Sequence, residues 1–292
     1  MLEKIFKHIM VLVKKEVEKY KRQKNVEMMR KFSSYLLATI TYLRQCIVCP
    51  LIPYASMMLE FADLERTSDL AKICVQEFER LNLMKYLNDI ESIKSSRIRN
   101  VLNKIDSHPN ERVIVFTTFR TCLDVIESFM PKNVSDDATK ERPHYSIKQN
   151  HSAKKREKVI KEWRESNNGI LLLTYKLGAQ GLNLQASSTI LLVDFWWNDA
   201  TTRQSIARVL RTGQEASNIT VYFFASNTGI EKAIFKKHNY KLNALKELED
   251  GPFKNKIITM SIQETVKILS MEESIDQLTA ISAFHNKESA YW

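Results

Sequence analysis

Glycine is scarce in this 292-residue chain. There are six, and none precedes Gly169. A glycine-rich loop that wraps a phosphate chain, with its Lys and Ser/Thr, is therefore excluded from the first 168 residues. Proline is equally scarce, and only Pro50 and Pro53 interrupt the first hundred residues, which read as helix with few breaks. Four cysteines (Cys46, Cys49, Cys74 and Cys122) are too few and too scattered for a disulfide scaffold and suit a reducing, intracellular compartment. No apolar run reaches the roughly 18 residues that span a bilayer, so no membrane partner is expected. The opening stretch MLEKIFKHIMVLVKKEVEKYKRQ is charged throughout and lacks a small-residue cleavage site. It predicts an amphipathic helix, not a signal peptide.

Apolar residues make up 44% of the chain, enough for a substantial core. The net charge is +10 and unevenly spread. Residues 1–31 hold ten Lys/Arg against four Glu, and residues 140–164 hold nine against three. Residues 247–292 hold eight acids against four Lys. Two basic segments and an acidic tail suit a polyanionic partner such as nucleic acid, or lysine-rich faces that are merely solvated. Composition leaves both open.

Residues 112–119, RVIVFTTF, are a short β-rich run, and 121–130 follow at helical spacing. The polar stretch 131–143 has a proline at each end and reads as a loop. HYSIKQ is a candidate short strand, and 152–166 a helix with Ser152 as N-cap. GILLLTY, STILLVDF and NITVYFFA are three further apolar runs, with a helix expected at about 200–211 between the last two and another at about 229–248. Continuous apolar strands alternating with helices predict an α/β fold, a single parallel sheet with helices on both faces. The expected division is an all-helical segment over 1–95, the α/β lobe over 96–249 and a helical acidic tail over 250–292.

The most informative segment is RQSIARVLRTGQ, 203–214. Gln204, Arg208 and Arg211 are spaced i, i+4, i+7 and fall on one stripe of a continuous helix, with Ile206, Val209 and Leu210 turned into the sheet. Two arginines and a glutamine beside strand ends can grip phosphate, and an ordinary exposed helix face has the same spacing.

This segment resembles the sixth motif of superfamily-two helicases in its Swi/Snf form, through Gln204, Arg208, Arg211, Gly213 and Gln214. DFWWND (194–199) is similar to that family's Asp-x-x-Trp-Asn-Pro run, and LLLTYKLGAQGLNLQAS (171–187) to its fifth motif, through Thr174, Lys176, Gly178, Gly181, Asn183 and Leu184. RVIVFTTF resembles the fourth motif and 222–241 the closing helix. YLRQCIVCPLI (42–52) resembles the stretch where the first motor lobe hands over to the second. The resemblance spans 36–249. Ala179, Asp199, Ala207 and Leu210 depart from the usual pattern, as expected of a divergent member such as a viral one.

The resemblance implies a RecA-like C-terminal lobe acting on ATP with Mg2+ only together with a first lobe, which carries the phosphate loop and an acidic box. In this alignment Met1 falls near the end of that first lobe, so the chain is expected to be a split gene product, a degraded paralogue or a partial reading frame. Arg211 is then the arginine finger and Arg208 its companion. Gln204, Gly178, Gly181 and Asn183 are nucleotide-side residues, and Gln204 couples nucleotide to lobe closure. Thr118, Thr174 and Lys176 face the backbone of duplex DNA. For the glycines a plain strand-to-helix turn, and for the threonines ordinary β-propensity, explain the residue type as well. Arg156 is expected as a structural ion-pair partner and Trp196–Trp197 as lobe core. Cys46 and Cys49 form a Cys-x-x-Cys without a second pair, and no metal site is expected. The implied setting is the nucleus or a cytoplasmic viral replication site. A non-catalytic DNA- or partner-binding module left from such a motor is the alternative.

Overall fold

The computed structural model describes residues 40–49, 52–53, 95–130, 142–196, 198–226, 230–232 and 234–236. A helical stretch over 40–48 comes first. Helix α1 (Ser96–Asp106) follows, started by Ser95, whose hydroxyl oxygen accepts from the Ile98 amide at 3.2 Å and satisfies one of the helix's free N–H groups. The same hydroxyl donates to the Val48 carbonyl at 2.6 Å and ties α1 to the 40–49 stretch. Then come β1 (Val113–Thr117), α2 (Arg120–Phe129), β2 (His144–Ile147) and α3 (Ala153–Glu165). Ser152 caps α3 as its sequence position predicts, accepting from Lys155 N at 3.3 Å. The chain continues through β3 (Ile170–Thr174), the single turn α4 (Tyr175–Gly178), β4 (Thr189–Leu192), α5 (Asp199–Ala207) and β5 (Thr220–Phe223).

The five strands form one parallel sheet in the order β2-β3-β1-β4-β5. Val113 lies opposite Ile170 on one side and Thr189 on the other, so the apolar runs share a register. Alternation along β1 feeds two cores. Val113 and Val115 join Ile98, Val101, Leu123 and Ile126 on the α1–α2 face. Ile114 and Phe116 join Trp163, Leu177, Ile206 and Val209 on the α3–α5 face. Both faces of β1, β3 and β4 are covered, which is why their sequences are unbroken apolar runs rather than alternating ones. Each such side chain removed from water stabilises the fold by about 1.5–3 kcal/mol.

Two sequence expectations change. The helix expected to reach 211 ends at Ala207, with Arg208 as its C-cap and 208–213 in turns. Arg211 therefore leaves the helical stripe shared by Gln204 and Arg208, and Leu210 is 45% exposed instead of facing the sheet. The second change is at β5. NITVYFFA is an apolar run like the others, but β5 is an edge strand, and Phe223 is 50% exposed. It stacks on Phe195 with ring centroids 6.0 Å apart.

The chain divides into two compact units, Met1–Ser226 and Asn227–Trp292. The described part of the second is short and helical, over 230–232 and 234–236. The amphipathic helix expected near the N-terminus, most of the 1–95 segment, the loop at 131–141, Trp197 and the acidic tail lie outside the described residues. Among the described residues no helix is long and apolar enough to cross a membrane.

Candidate functional site

The sequence-predicted residues fall into two groups. One lies where β1, β3 and β4 end. Thr117 and Thr174 pair across β1 and β3, so Thr118 and the start of α4 sit side by side. Thr174 is half-buried, and its side chain makes no capping bond to α4. Lys176 is exposed. Thr118 is different. Its amide donates to Asp194 Oδ1 at 2.7 Å, and its hydroxyl oxygen is buried without a hydrogen-bond partner. In this conformation Thr118 offers neither group to a phosphate.

Asp194 is the centre of this group. It follows β4 and is buried together with Arg44 from the 40–48 stretch, their side chains 3% and 5% exposed and 3.8 Å apart. Arg44 also donates to the Phe195 carbonyl. Its guanidinium lies 5.1 Å from the centroid of the Phe119 ring and 5.6 Å from that of Trp196. Trp196 is half-buried. The Tyr175 hydroxyl donates to the Asp194 backbone carbonyl at 2.6 Å. Burial pushes the Asp194 carboxyl above its ordinary range, opposed by the Arg44 charge and by the Thr118 amide. Burial, reinforced by the nearby Asp194 carboxylate, pushes the Tyr175 phenol well above its usual value.

The second group is built where the segment after α4 meets the turn after α5. Arg208 is half-buried, and one guanidinium nitrogen donates to the Ala179 carbonyl at 3.1 Å. Gln185 donates to the Thr212 carbonyl. Gln214 donates to the Ser187 carbonyl at 3.0 Å and the Val209 carbonyl at 3.2 Å, and accepts from Ala216 N at 3.1 Å. Gly213, at φ +100°, lets the chain reverse between these bonds. The turn that carries Arg211 is thus held at both flanks. Arg211 is exposed, and among the described residues its side chain has no hydrogen bond or ion pair.

The remaining nucleotide-side residues differ in kind. Gln204 is exposed on α5. Asn183 is exposed, and its Oδ1 accepts from Gln185 N at 3.4 Å. Gly181 has φ +83° and open space where a side chain would stand, as a turn glycine needs. Gly178 is buried, and a Cβ there would come 2.4 Å from Phe116 Cε1 and 3.2 Å from Ser205 Oγ. The missing side chain lets α4 pack against β1 and α5.

Arg156 meets Gln149 O at 2.8 Å and Gln180 Oε1 at 3.3 Å, so it is structural, but through hydrogen bonds and not the expected ion pair. On the α3 face, Lys158 and Lys161 pair with Glu162 and Glu165 at 3.7 and 3.8 Å, which lowers the field of that basic helix. Cys46, Cys49 and Cys122 are buried. Burial pushes the Cys122 thiol strongly upward, so it is inert as a nucleophile. Among the described residues no group of three His, Cys, Asp or Glu could hold a metal ion.

Sequence reading missed Arg44, Tyr175 and Gln185. Arg44 stood inside a recognised stretch but had no assigned role. Nothing in a linear pattern shows that an arginine turns inward to a carboxylate 150 residues away.

Comparison with known proteins settles the class of the lobe. Residues 93–213 match the helicase conserved C-terminal domain family. Over these residues the lobe is similar to helicase C-terminal domains, in agreement with the Swi/Snf-type resemblance of its motifs. The DNA repair protein RAD5 of Debaryomyces hansenii is 32% identical over 175 residues, which cover 58% of this chain and 15% of the relative. The DNA repair and recombination protein RAD54 of Saccharomyces cerevisiae is 29% identical over 157 residues, 52% of this chain and 16% of the relative. The putative helicase 172L of Invertebrate iridescent virus 6 is 27% identical over 241 residues, 70% of this chain and 36% of the relative. The chain thus spans about 15% of the length of the cellular relatives it matches. The crystal structure of the C-terminal part of the Fun30 ATPase domain shares the fold, with a TM-score of 0.56 at 17% identity, covering 92% of this chain and 91% of that one.

Proposed function

We propose that this chain works as the C-terminal half of an ATP-driven, DNA-dependent translocase, completed by a phosphate-loop-bearing first lobe in trans or in a longer chain. The observation that carries this reading is the exposed Arg211, without an ion pair among the described residues, on a turn fixed by Gln185 and Gln214 beside the half-buried Arg208. An exposed cation on a fixed turn suits a polyanion brought by something else. The donor set fits a phosphate chain. Arg208 spends one of its five donors on Ala179, and among the described residues the others make no bond.

In this reading Arg211 is the arginine finger and Arg208 its companion. Both place positive charge where phosphoryl transfer develops negative charge. ATP with Mg2+ supplies the phosphoryl group to be transferred. Gln204 reports on nucleotide from the exposed side of α5. Asn183 meets the ribose, and the Gly181 turn lets backbone approach the nucleotide. Gly178 acts indirectly, by closing the packing of α4. Thr174 and Lys176 form the DNA track from this lobe. Thr118 joins them only if its hydroxyl rotates out of its buried position. The workplace is the nucleus or a viral replication site.

Residues 1–168 hold no glycine, so no phosphate loop lies in them. The chain on its own is therefore expected not to hydrolyse ATP above background. The same observation favours a second reading, a non-catalytic module that docks on DNA. Fusion to a first motor lobe decides between them. DNA-stimulated ATPase activity that Arg211→Ala removes supports the motor. A fusion that binds duplex DNA but never turns over supports the module. Binding to duplex DNA should be sequence-independent. About four neutralised phosphates give a log–log salt slope of roughly −3 to −4.

A further inference from the structure

The pair Arg44–Asp194 is buried where a pair is costly to keep. Both charges have lost water, and replacing such a pair by apolar residues is often neutral or stabilising. Its geometry is directional. Asp194 Oδ1 is committed to the Thr118 amide at 2.7 Å, and Oδ2 faces Arg44 at 3.8 Å. Oδ2 and the neighbouring Thr118 hydroxyl are buried without hydrogen-bond partners, and the Arg44 guanidinium is the cation that faces the second oxygen. The Asp194 carbonyl holds Tyr175, the first residue of α4, at 2.6 Å. Tyr175 is followed directly by Lys176. The Tyr175 ring also stacks on Phe116 of β1, with centroids 5.6 Å apart. One residue thus anchors the loop after β1 and the turn after β3, and one arginine from a different segment neutralises it.

We infer that Arg44 is a positioning residue for DNA binding: by balancing the buried Asp194 carboxylate it fixes, through Thr118 and Tyr175, the strand-end loops that present Thr174 and Lys176. The inference deepens the DNA-track reading above and rests on it. It gives the 40–48 stretch a role that its helical pattern does not suggest, because Arg44 is the point at which that stretch grips the strand ends. Removing the arginine leaves a buried carboxylate that must take up a proton or turn towards water. Either response loosens the Thr118 amide and shifts the turn that begins at Tyr175.

The test uses the full chain, a fluorescent duplex, and Arg44→Met alone and combined with Lys176→Ala. Affinity is normalised to folded protein, and amide exchange is followed at 117–119 and 175–177. Arg44→Met is expected to weaken duplex binding roughly fivefold and to speed exchange in both segments. In the Lys176→Ala background the same change should weaken binding less than about twofold, because both act through one contact. Affinity per folded molecule within about twofold of the parent, or an equal loss in both backgrounds, overturns the inference. If Arg44→Met does not fold, Arg44→Lys keeps the charge without the forked geometry and should give a smaller loss of the same pattern. A parent chain that does not bind duplex DNA refutes the DNA-track reading instead. Exchange at 117–119 and 175–177 then decides the positioning link by itself, and rates unchanged by Arg44→Met overturn it.

Discussion

Arg44 and Arg211 bring the same side chain into opposite surroundings. Arg44 is buried, faces a buried carboxylate, donates to a backbone carbonyl and lies beside two aromatic rings. Arg211 is exposed on a turn whose flanks are bonded to the neighbouring segment, and among the described residues its guanidinium has no hydrogen bond or ion pair. Around Arg44 the protein supplies every partner. Around Arg211 it fixes the backbone and leaves the charge open. The first arrangement serves architecture, since removing one member of a buried pair strands the other. The second suits a ligand that arrives with its own negative charge. Arg142 lies between these extremes. It is half-buried, and its guanidinium donates to the carbonyls of Ile105, Glu111 and Asn168 at 2.6, 2.6 and 2.7 Å.

The sharpest way to break this contrast is Arg211→Ala in a fusion with a first motor lobe. Single-turnover hydrolysis is expected to fall by about 10³-fold or more, the usual worth of an arginine finger. Melting temperature and nucleotide affinity should hardly move, because the charge acts mainly in the transition state. Arg211→Lys should rescue little. Near-parental rates in Arg211→Ala would remove the catalytic assignment.

Arg44→Met should show the opposite profile, a loss of stability of about 3–5 kcal/mol from the uncompensated carboxylate. Adding Asp194→Asn should return most of it, since neither charge of the pair then remains. Denaturant melts of the two singles and the double give the coupling. The same pair has a pH signature. Burial raises the folded-state pKa of Asp194 above its unfolded value, so the folded form holds the proton more tightly. Its contribution therefore falls as pH rises from the ordinary carboxylate range through the raised folded value. The difference in stability between the parent and Asp194→Asn, followed across pH, should carry that slope. A flat difference would contradict the burial argument.

Arg142→Lys should cost about 2 kcal/mol, because an ammonium cannot reach three diverging carbonyls as the guanidinium fork does. The check is a urea melt, and a change below the scatter of the measurement would show that the fork is redundant. The smallest effect is expected at His151. Burial, and the charges of Lys155, Lys148 and Arg156, lower its folded-state pKa below the ordinary value near 6.5. Its contribution is present above the unfolded value and is lost as pH falls through the lowered one. His151→Asn should flatten that part of the stability profile slightly, as seen by melts across the same pH window.

The strands were legible because they carry their environment in their composition. ILLLT and VIVFT are apolar at every position before the closing Thr, and only a strand covered on both faces has use for that. β5 was legible as a strand but not as an edge, since TVYF is as apolar as its neighbours. Position in a sheet depends on which strands pair, and no single strand encodes it. The end of α5 was misread for a related reason. Periodicity continues through Arg211 with no breaker before Gly213. The helix stops where Arg208 turns to Ala179, in a segment distant in sequence, and where Gln214 folds back to take the Val209 carbonyl.

By itself the sequence determined the class of the lobe, because motif order and apolar runs are local properties of the chain. It also fixed which residues could carry charge to a phosphate. Only the tertiary structure decided how each charge is used. Pairing Arg44 with Asp194 and leaving Arg211 open depends on which loops the parallel sheet brings to one edge. The physical reason is that a charge is costly or useful according to its solvent exposure and its neighbours, and both are set by contacts the linear order does not contain.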